Sequence, residues 1–272
     1  MPPILKKIIA VLILLVVLNA GFVWYGQASF DATFQQLAKA FADNNATLPR
    51  RTALPAPVAR YLEQSALSDH PYRTLVLEFE GTFRKKPESH PMPMRALSLL
   101  RPTPDTLRAE RLRANAVVTF NALESYHAAR AKLEALLFGI VSTGEFRSEA
   151  FARSELARIL AYGLFNPALL PCACIDYREA DKHHIEATIR DGNLTATVRF
   201  VLNDTGDIVA VESDDRVRPR KGELLPARWR LDILSFGNQD GLRMPVEAEE
   251  SWITEGGTFT FARYRITSAK RL

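Results

Sequence analysis

From residue 72 onward the chain places an apolar side chain at every second position, and this period constrains the fold more than any other feature. In HIEATIRDGNLTATVRFVLNDTGDIVAV (184–211), Ile185, Ala187 and Ile189 alternate with His184, Glu186 and Thr188. After Asp191-Gly192, a hairpin signal, Leu194, Ala196, Val198, Phe200 and Leu202 alternate with Thr195, Thr197 and Arg199. Side chains at i and i+2 share a strand face, so each such run has one apolar side. Leu75, Leu77, Phe79 and Phe83 repeat the pattern upstream, and Trp229, Leu231 and Ile233 repeat it downstream. NDTGD (203–207), GNQDG (237–241) and TEGGT (254–258) supply the turns, with the last strand ending near Thr267. An antiparallel meander with one strongly apolar face follows.

Three segments depart from period two. In SFDATFQQLAKAFADNN (29–45), Phe30, Phe34, Leu37 and Phe41 fall on one helix face. LPAPVARYLEQSAL (54–67) opens on prolines and carries Val58, Tyr61, Leu62 and Ser65 on a stripe, which reads as a short helix. RSEAFARSELARILAYGLFNPALLP (147–171) has Phe151, Leu156, Ile159, Leu160 and Phe165 at helical spacing, and Asn166-Pro167 ends it. ALESYHAARAKLEALLFG (122–139) satisfies both helix composition and strand alternation, so the pattern leaves it open. The fold class is therefore α+β: a curved antiparallel β-sheet, an open half-barrel, covered by a few helices.

The N-terminus adds a membrane segment. Lys6 and Lys7 precede an uncharged run from Ile8 to Gly26, with Trp24 and Tyr25 at its far end. That length just crosses a hydrocarbon core of ~30 Å, and amphipathic rings favour its interface. The lysines place the N-terminus in the cytoplasm and the remainder across the inner membrane, as a single-pass protein with a periplasmic domain. A cleaved signal sequence is the alternative, with Gly26-Gln27-Ala28 as a small-x-small site, although the apolar run exceeds an ordinary signal core. The expected organisation is an anchor at 1–28, a helical segment at 29–70, and a β domain at 71–272 with a helical insertion near 147–165.

Setting Lys6 and Lys7 aside from the 35 basic residues leaves 33 against 31 acidic ones, so the exported part is nearly neutral. No nucleic-acid partner is expected without a clustered basic patch. Arginines do gather in RPTPDTLRAERLR (101–113) and RVRPRK (216–221). They read as a solvated strand face and a charged loop, with contact to anionic headgroups as the functional alternative.

LPCACIDYREADKHH (170–184) holds both cysteines and two of the five histidines. Soft thiolates beside imidazoles suit copper or zinc, but ligand atoms must converge within ~2.3 Å of the metal. A hairpin with a four-residue loop sets His183 opposite Arg178, and one with a seven-residue loop sets His184 opposite Asp176. Cys174 is then ~13 or ~7 Å away, so no metal site is expected. Outside the cytoplasm free thiols tend to oxidise, but a bond across one residue closes a small ring, and the cysteines read as small buried hydrophobes. Glu247 and Glu249 share a strand face that reads as solvated; Trp229 and Trp252 read as core. No Gly-rich phosphate loop or Gly-x-Ser-x-Gly elbow occurs, no catalytic residue stands out and no cofactor is implied.

LPAPVARYL (54–62), FNPALLP (165–171), VRFVLNDTGDIVAV (198–211), PARW (226–229), GLRMPVEAEESW (241–252) and YRI (264–266) together resemble a bacterial family of membrane-anchored proteins whose function is unknown. That family's fold is similar to the half-barrels of LolA-like lipoprotein carriers, which hold acyl chains between sheet and helices. The resemblance implies a tethered envelope protein that binds a lipid or other apolar ligand, with Leu77, Phe79, Val198, Phe200, Trp229 and Phe261 as candidate lining. The alternative is a non-enzymatic protein-interaction module with a filled core and an exposed apolar patch, such as one on the 30–42 helix.

Overall fold

The computed structural model describes residues 2–43, 48–51, 53–69, 71–114, 118–220 and 223–272; Asn44, Asn45 and Lys221 of the stretches above lie outside them. Helix α1 (Pro3–Asp43) is continuous and runs through the expected boundary at residue 28. Helix α2 (Ala56–Gln64) buries Val58 and Tyr61. Strands β1 (Leu75–Phe83), β2 (Met92–Leu100), β3 (Thr106–Arg113), β4 (Thr119–His127), β5 (Arg130–Leu137) and β6 (Val141–Phe146) follow. Helix α3 (Glu149–Ala161) and two 3-10 turns, Tyr162–Leu164 and Pro167–Leu169, interrupt the strands. Then come β7 (Ile175–Asp181), β8 (His184–Asp191), β9 (Leu194–Leu202), β10 (Ile208–Ser213), the short pair β11 (Val217–Arg220) and β12 (Glu223–Pro226), β13 (Arg228–Gln239), β14 (Leu242–Thr254) and β15 (Gly257–Arg271). The ambiguous 122–139 stretch is thus a hairpin of β4 and β5.

Thirteen strands form one antiparallel sheet in the order β6-β5-β4-β3-β2-β1-β15-β14-β13-β10-β9-β8-β7. β1 pairs with β15, so the first and last strands meet in the middle and two wings extend from them. Helix α3 touches both β5 and β9. Those strands stand nine places apart, about 43 Å across a flat sheet at ~4.8 Å per strand. A helix about 10 Å wide reaches both only because the sheet curls around it. The sheet is an open half-barrel, with β6 and β7 as free edges and α3 inside.

The two faces bury different partners. The inner face packs Leu75, Leu77, Phe79, Val198, Phe200, Trp229 and Tyr264 around α3 and the 3-10 turns. On the outer face, Phe30 and Phe34 of α1 pack on Leu99, Leu107 and Leu123, with Ala38 and Phe41 beside them. Leu37, expected on that stripe, is exposed. The 30–42 helix therefore offers its aromatic face to the sheet and not to a partner.

Several local expectations change. Arg101 and Arg108 are buried, and so is Arg216, so neither arginine cluster is simply solvated. Val217–Arg220 and Glu223–Pro226 are the β11–β12 pair. The hairpin after the cysteines is tighter than either register considered: Lys182 and His183 form its turn, and Arg178 faces Glu186. Asp181 holds that turn by accepting the His183 N–H at 2.8 Å and meeting His184 Nδ1 at 2.8 Å.

Candidate functional site

The inner face of the half-barrel gathers most of the candidate lining. Leu77, Phe79, Val198, Phe200 and Trp229 are all at most 1% exposed and converge beneath α3 and the 3-10 turns. Period two explains why: each sits at an inward position of its strand. Phe79 meets Phe165 edge-on, with ring centroids 6.1 Å apart. Phe261 lies apart from this group, half-buried at a bulge, where its ring stacks on Trp252 at 5.0 Å.

Helix α3 closes this floor with charge as well as apolar surface. Ser148 caps its start, its hydroxyl accepting the Phe151 N–H at 3.1 Å. Phe151, Leu156 and Leu160 are buried, but so are Ser154, Glu155 and Arg158. Arg158 donates through Nε to Glu155 at 2.8 Å and through Nη2 to Glu124 of β4. Arg216 donates to Glu155 Oε1 at 2.8 Å and to the Ser154 hydroxyl at 3.0 Å. Although burial pushes the Glu155 carboxyl up, Arg158 and Arg216 together hold it below the usual carboxylate value. Burial prevails at Glu124, whose carboxyl is raised despite Arg158.

A second carboxylate anchors the other end. Glu250 on β14 accepts from Tyr162 Oη at 2.6 Å, Tyr264 Oη at 3.0 Å and Trp229 Nε1 at 3.0 Å. Burial and then the Glu250 carboxylate push both phenols above the ordinary tyrosine value, so both remain donors. Three of the buried guanidiniums also cap interior rings: Arg108 over Phe79 at 5.3 Å, Arg158 over Tyr162 at 5.6 Å and Arg216 over Trp229 at 5.4 Å.

The space left inside is small. A void of about 10 Å³ lies between Ser98, Arg108, Arg158 and Tyr162, room for one water. Larger crevices open outside the floor. One of about 320 Å³ lies between α1 and the outer face, by Phe30, Phe34, Arg95 and Arg111. Another of about 380 Å³ lies beside α2, by Leu62, Leu67, Tyr72 and Ala168.

Cys172 and Cys174 are bonded to each other, with Cα atoms 5.1 Å apart. This corrects the reading of two unbonded buried hydrophobes: the turn after Pro171 brings the Cα atoms within ordinary disulfide reach. His183 and His184 lie at the far tip of the β7–β8 hairpin. Among the described residues no three His, Cys, Asp or Glu side chains gather as a metal site.

The buried polar layer escaped the sequence reading. Glu250 alone left a trace, because on β14 it shares the inward parity of Ala248 and Trp252. Glu247 and Glu249 point the other way, opposite Arg265 and Arg263.

No curated protein matches the chain. Solved structures do. A DUF1329 family protein from Desulfovibrio piger aligns at 12% identity and a TM-score of 0.42, over 80% of this chain and 94% of that one. A putative outer membrane lipoprotein-sorting protein domain from Vibrio parahaemolyticus aligns at 14% and 0.44, over 79% and 90%. A LolA superfamily protein from Nitrosomonas europaea aligns at 11% and 0.40, over 80% and 94%. None of these identities carries a ligand over to this chain. The sequence itself matches one family across residues 44–264, from the segment before α2 to the last strand, and the chain belongs to that family of unknown function, DUF6544.

Proposed function

We propose that this chain is a membrane-tethered protein of the cell envelope that takes a lipid or other apolar chain against the inner face of its half-barrel. The observation that carries the reading is the apolar floor of Leu77, Phe79, Val198, Phe200 and Trp229, roofed by one helix and two short turns. With so little space beneath the roof, a ligand enters only as α3 or the 162–171 segment moves. Two features favour that motion. The edges β6 and β7 flanking α3 do not pair with each other. The polar side of α3 regains hydration on leaving, and a buried ion pair is a weak fastener because desolvation offsets its attraction. An acyl chain of about twelve methylenes gains roughly 10 kcal/mol on burial, which is the free energy available to displace the roof.

The tether rests on α1, the one described helix long and apolar enough to cross a membrane. Lys6 and Lys7 on one side and Asp31 on the other favour a cytoplasmic N-terminus in the inner membrane. Contacts of Phe22, Gly26 and Gln27 with the sheet favour a retained helix, since cleavage after Ala28 would remove all three. The filled interior favours a second reading, a protein-interaction module without a small ligand.

The test is photolabelling of the full chain in membranes with a diazirine fatty acid, mapped by peptide mass spectrometry. Adducts on the inner-face segments of β1, β9 and β13 are expected. Adducts confined to residues 4–25 would defeat the carrier reading and leave the interaction module.

A further inference from the structure

The turn between β5 and β6 has the wrong chemistry for water. Leu136-Leu137-Phe138-Gly139-Ile140-Val141 is apolar throughout, at the sheet's free edge. Hairpin turns that need positive φ ordinarily use Asn, Asp or Gly. Here Phe138 itself sits at φ 56°, followed by Gly139 at φ 84°. A bulky residue in the left-handed region is an outlier that packing must hold in place.

What holds it is the membrane helix. A Cβ on Gly26 would stand 2.0 Å from the Phe138 carbonyl oxygen, and one on Gly139 would stand 2.5 Å from the Gly26 oxygen. The two backbones are therefore in direct contact, as only glycine at both places permits. The Phe138 ring meets Phe22 of α1 edge-on, 6.0 Å between centroids.

The helix keeps this turn at a fixed level. Above Gly26, Gln27 donates to Thr119 and Asn121 at 3.0 and 3.1 Å. Asp31 then meets Arg111 at 2.7 Å, and the Arg101 guanidinium lies 4.2 Å from the Phe41 ring centre. The sheet thus cannot slide along α1. The exposed apolar part of α1 beyond Lys7 runs from Ile8 to Tyr25, about 27 Å at 1.5 Å per residue, close to the ~30 Å of a hydrocarbon core. Phe22 lies three residues, about 4.5 Å, inside Tyr25 on that axis.

We infer that the β5–β6 turn is a lipid-contacting wedge, seated in the outer leaflet of the membrane that α1 spans, with Phe138, Ile140 and Val141 at its tip. The inference rests on the membrane-tether reading and adds a second, peripheral contact to it. The wedge orients the domain, because two points of attachment set a tilt that one helix leaves free. Val141, already 45% exposed, and its neighbours fit acyl chains and glycerol backbones, not a polar partner.

Site-directed spin labelling tests this on the full chain in vesicles of phosphatidylcholine and phosphatidylglycerol. Single variants Val141→Cys, Ala128→Cys and Gly21→Cys each carry a nitroxide, and collision rates with oxygen and with a water-soluble nickel chelate are compared. Gly21 has open space around it, and Ala128 lies at the opposite end of β5. Oxygen should dominate at positions 21 and 141, and nickel at 128. Nickel dominating at 141 while oxygen dominates at 21 overturns the wedge and spares the tether. Nickel dominating at 21 as well removes the tether, and the wedge with it. Val141→Asp gives an independent readout: the wedge reading expects nitroxides elsewhere on the domain to show a changed tilt, with the fold unaltered by circular dichroism. An unchanged tilt counts against it.

Discussion

Trp229 donates its indole N–H to Glu250 Oε2 at 3.0 Å, across the adjacent strands β13 and β14, where both side chains are buried. The same carboxylate takes the hydroxyls of Tyr162 and Tyr264, so one acidic group ties the 3-10 turn after α3 to three strands. Glu250→Ala strands three buried donors at once and is expected to lower stability by about 3 kcal/mol or more. Glu250→Gln keeps an acceptor oxygen and should lose much less. Urea denaturation of the pair checks this: equal losses would mean the carboxylate is not the organiser described.

The two glutamates that hold Arg158 should respond oppositely to neutralisation. Glu155 is held below the usual carboxylate value by two arginines, so its contribution to stability is full above the ordinary glutamate pKa and is lost as pH falls through its depressed folded value. Glu124 is raised, so its charge opposes folding at neutral pH, and that opposition fades as pH falls through its raised folded value. Glu155→Gln should therefore destabilise clearly at pH 7, while Glu124→Gln is neutral or mildly stabilising. The gap should narrow on acidification into the carboxylate range. Melting temperatures from pH 7 to 4 would show it, and a constant gap would contradict the assignment.

The β4–β5 turn is made of Ala128 at φ 48° and Ala129 at φ 59°. Alanine is strained there, and glycine is not. Ala129→Gly keeps the N–H that donates to Asp191 at 2.7 Å and should raise stability by about 0.5–1 kcal/mol. A lower melting temperature would contradict the turn geometry.

Gly26→Ala inserts a methyl group where the Phe138 carbonyl stands. Neither backbone can yield locally, so the β5–β6 turn should lift off α1 at a cost of about 1–3 kcal/mol. Hydrogen exchange should accelerate through 138–146 while the β8–β9 amides stay protected. Unchanged protection of β6 would show that the close contact is dispensable.

Sequence and structure agree where one face of an element is simply apolar. Period two revealed Leu194 through Leu202, and the 3.6 period revealed α3, because burial repeats at the spacing of the backbone. Agreement fails where the cause is not periodic. The β4–β5 turn was hidden because Ala128-Ala129 carries no Asn-Gly signature. The tip at Lys182-His183 was missed because an Asp181 side chain shapes it. The interior ions were invisible because Glu124 and Arg158, or Glu155 and Arg216, lie far apart in the chain and meet only through the curl of the sheet. Burial of Arg108 and Arg216 likewise defied local composition.

The meeting of β1 with β15 has a consequence for how the molecule is made. Each wing can grow hairpin by hairpin as the chain emerges, yet β1 waits for a neighbour some 190 residues later, as Glu78 paired with Ser268 shows. Contacts of such sequence separation form late. Until the fifteen residues of β15 arrive, no strand pairing joins the two wings, and a premature stop codon before Gly257 would leave only α3 between them.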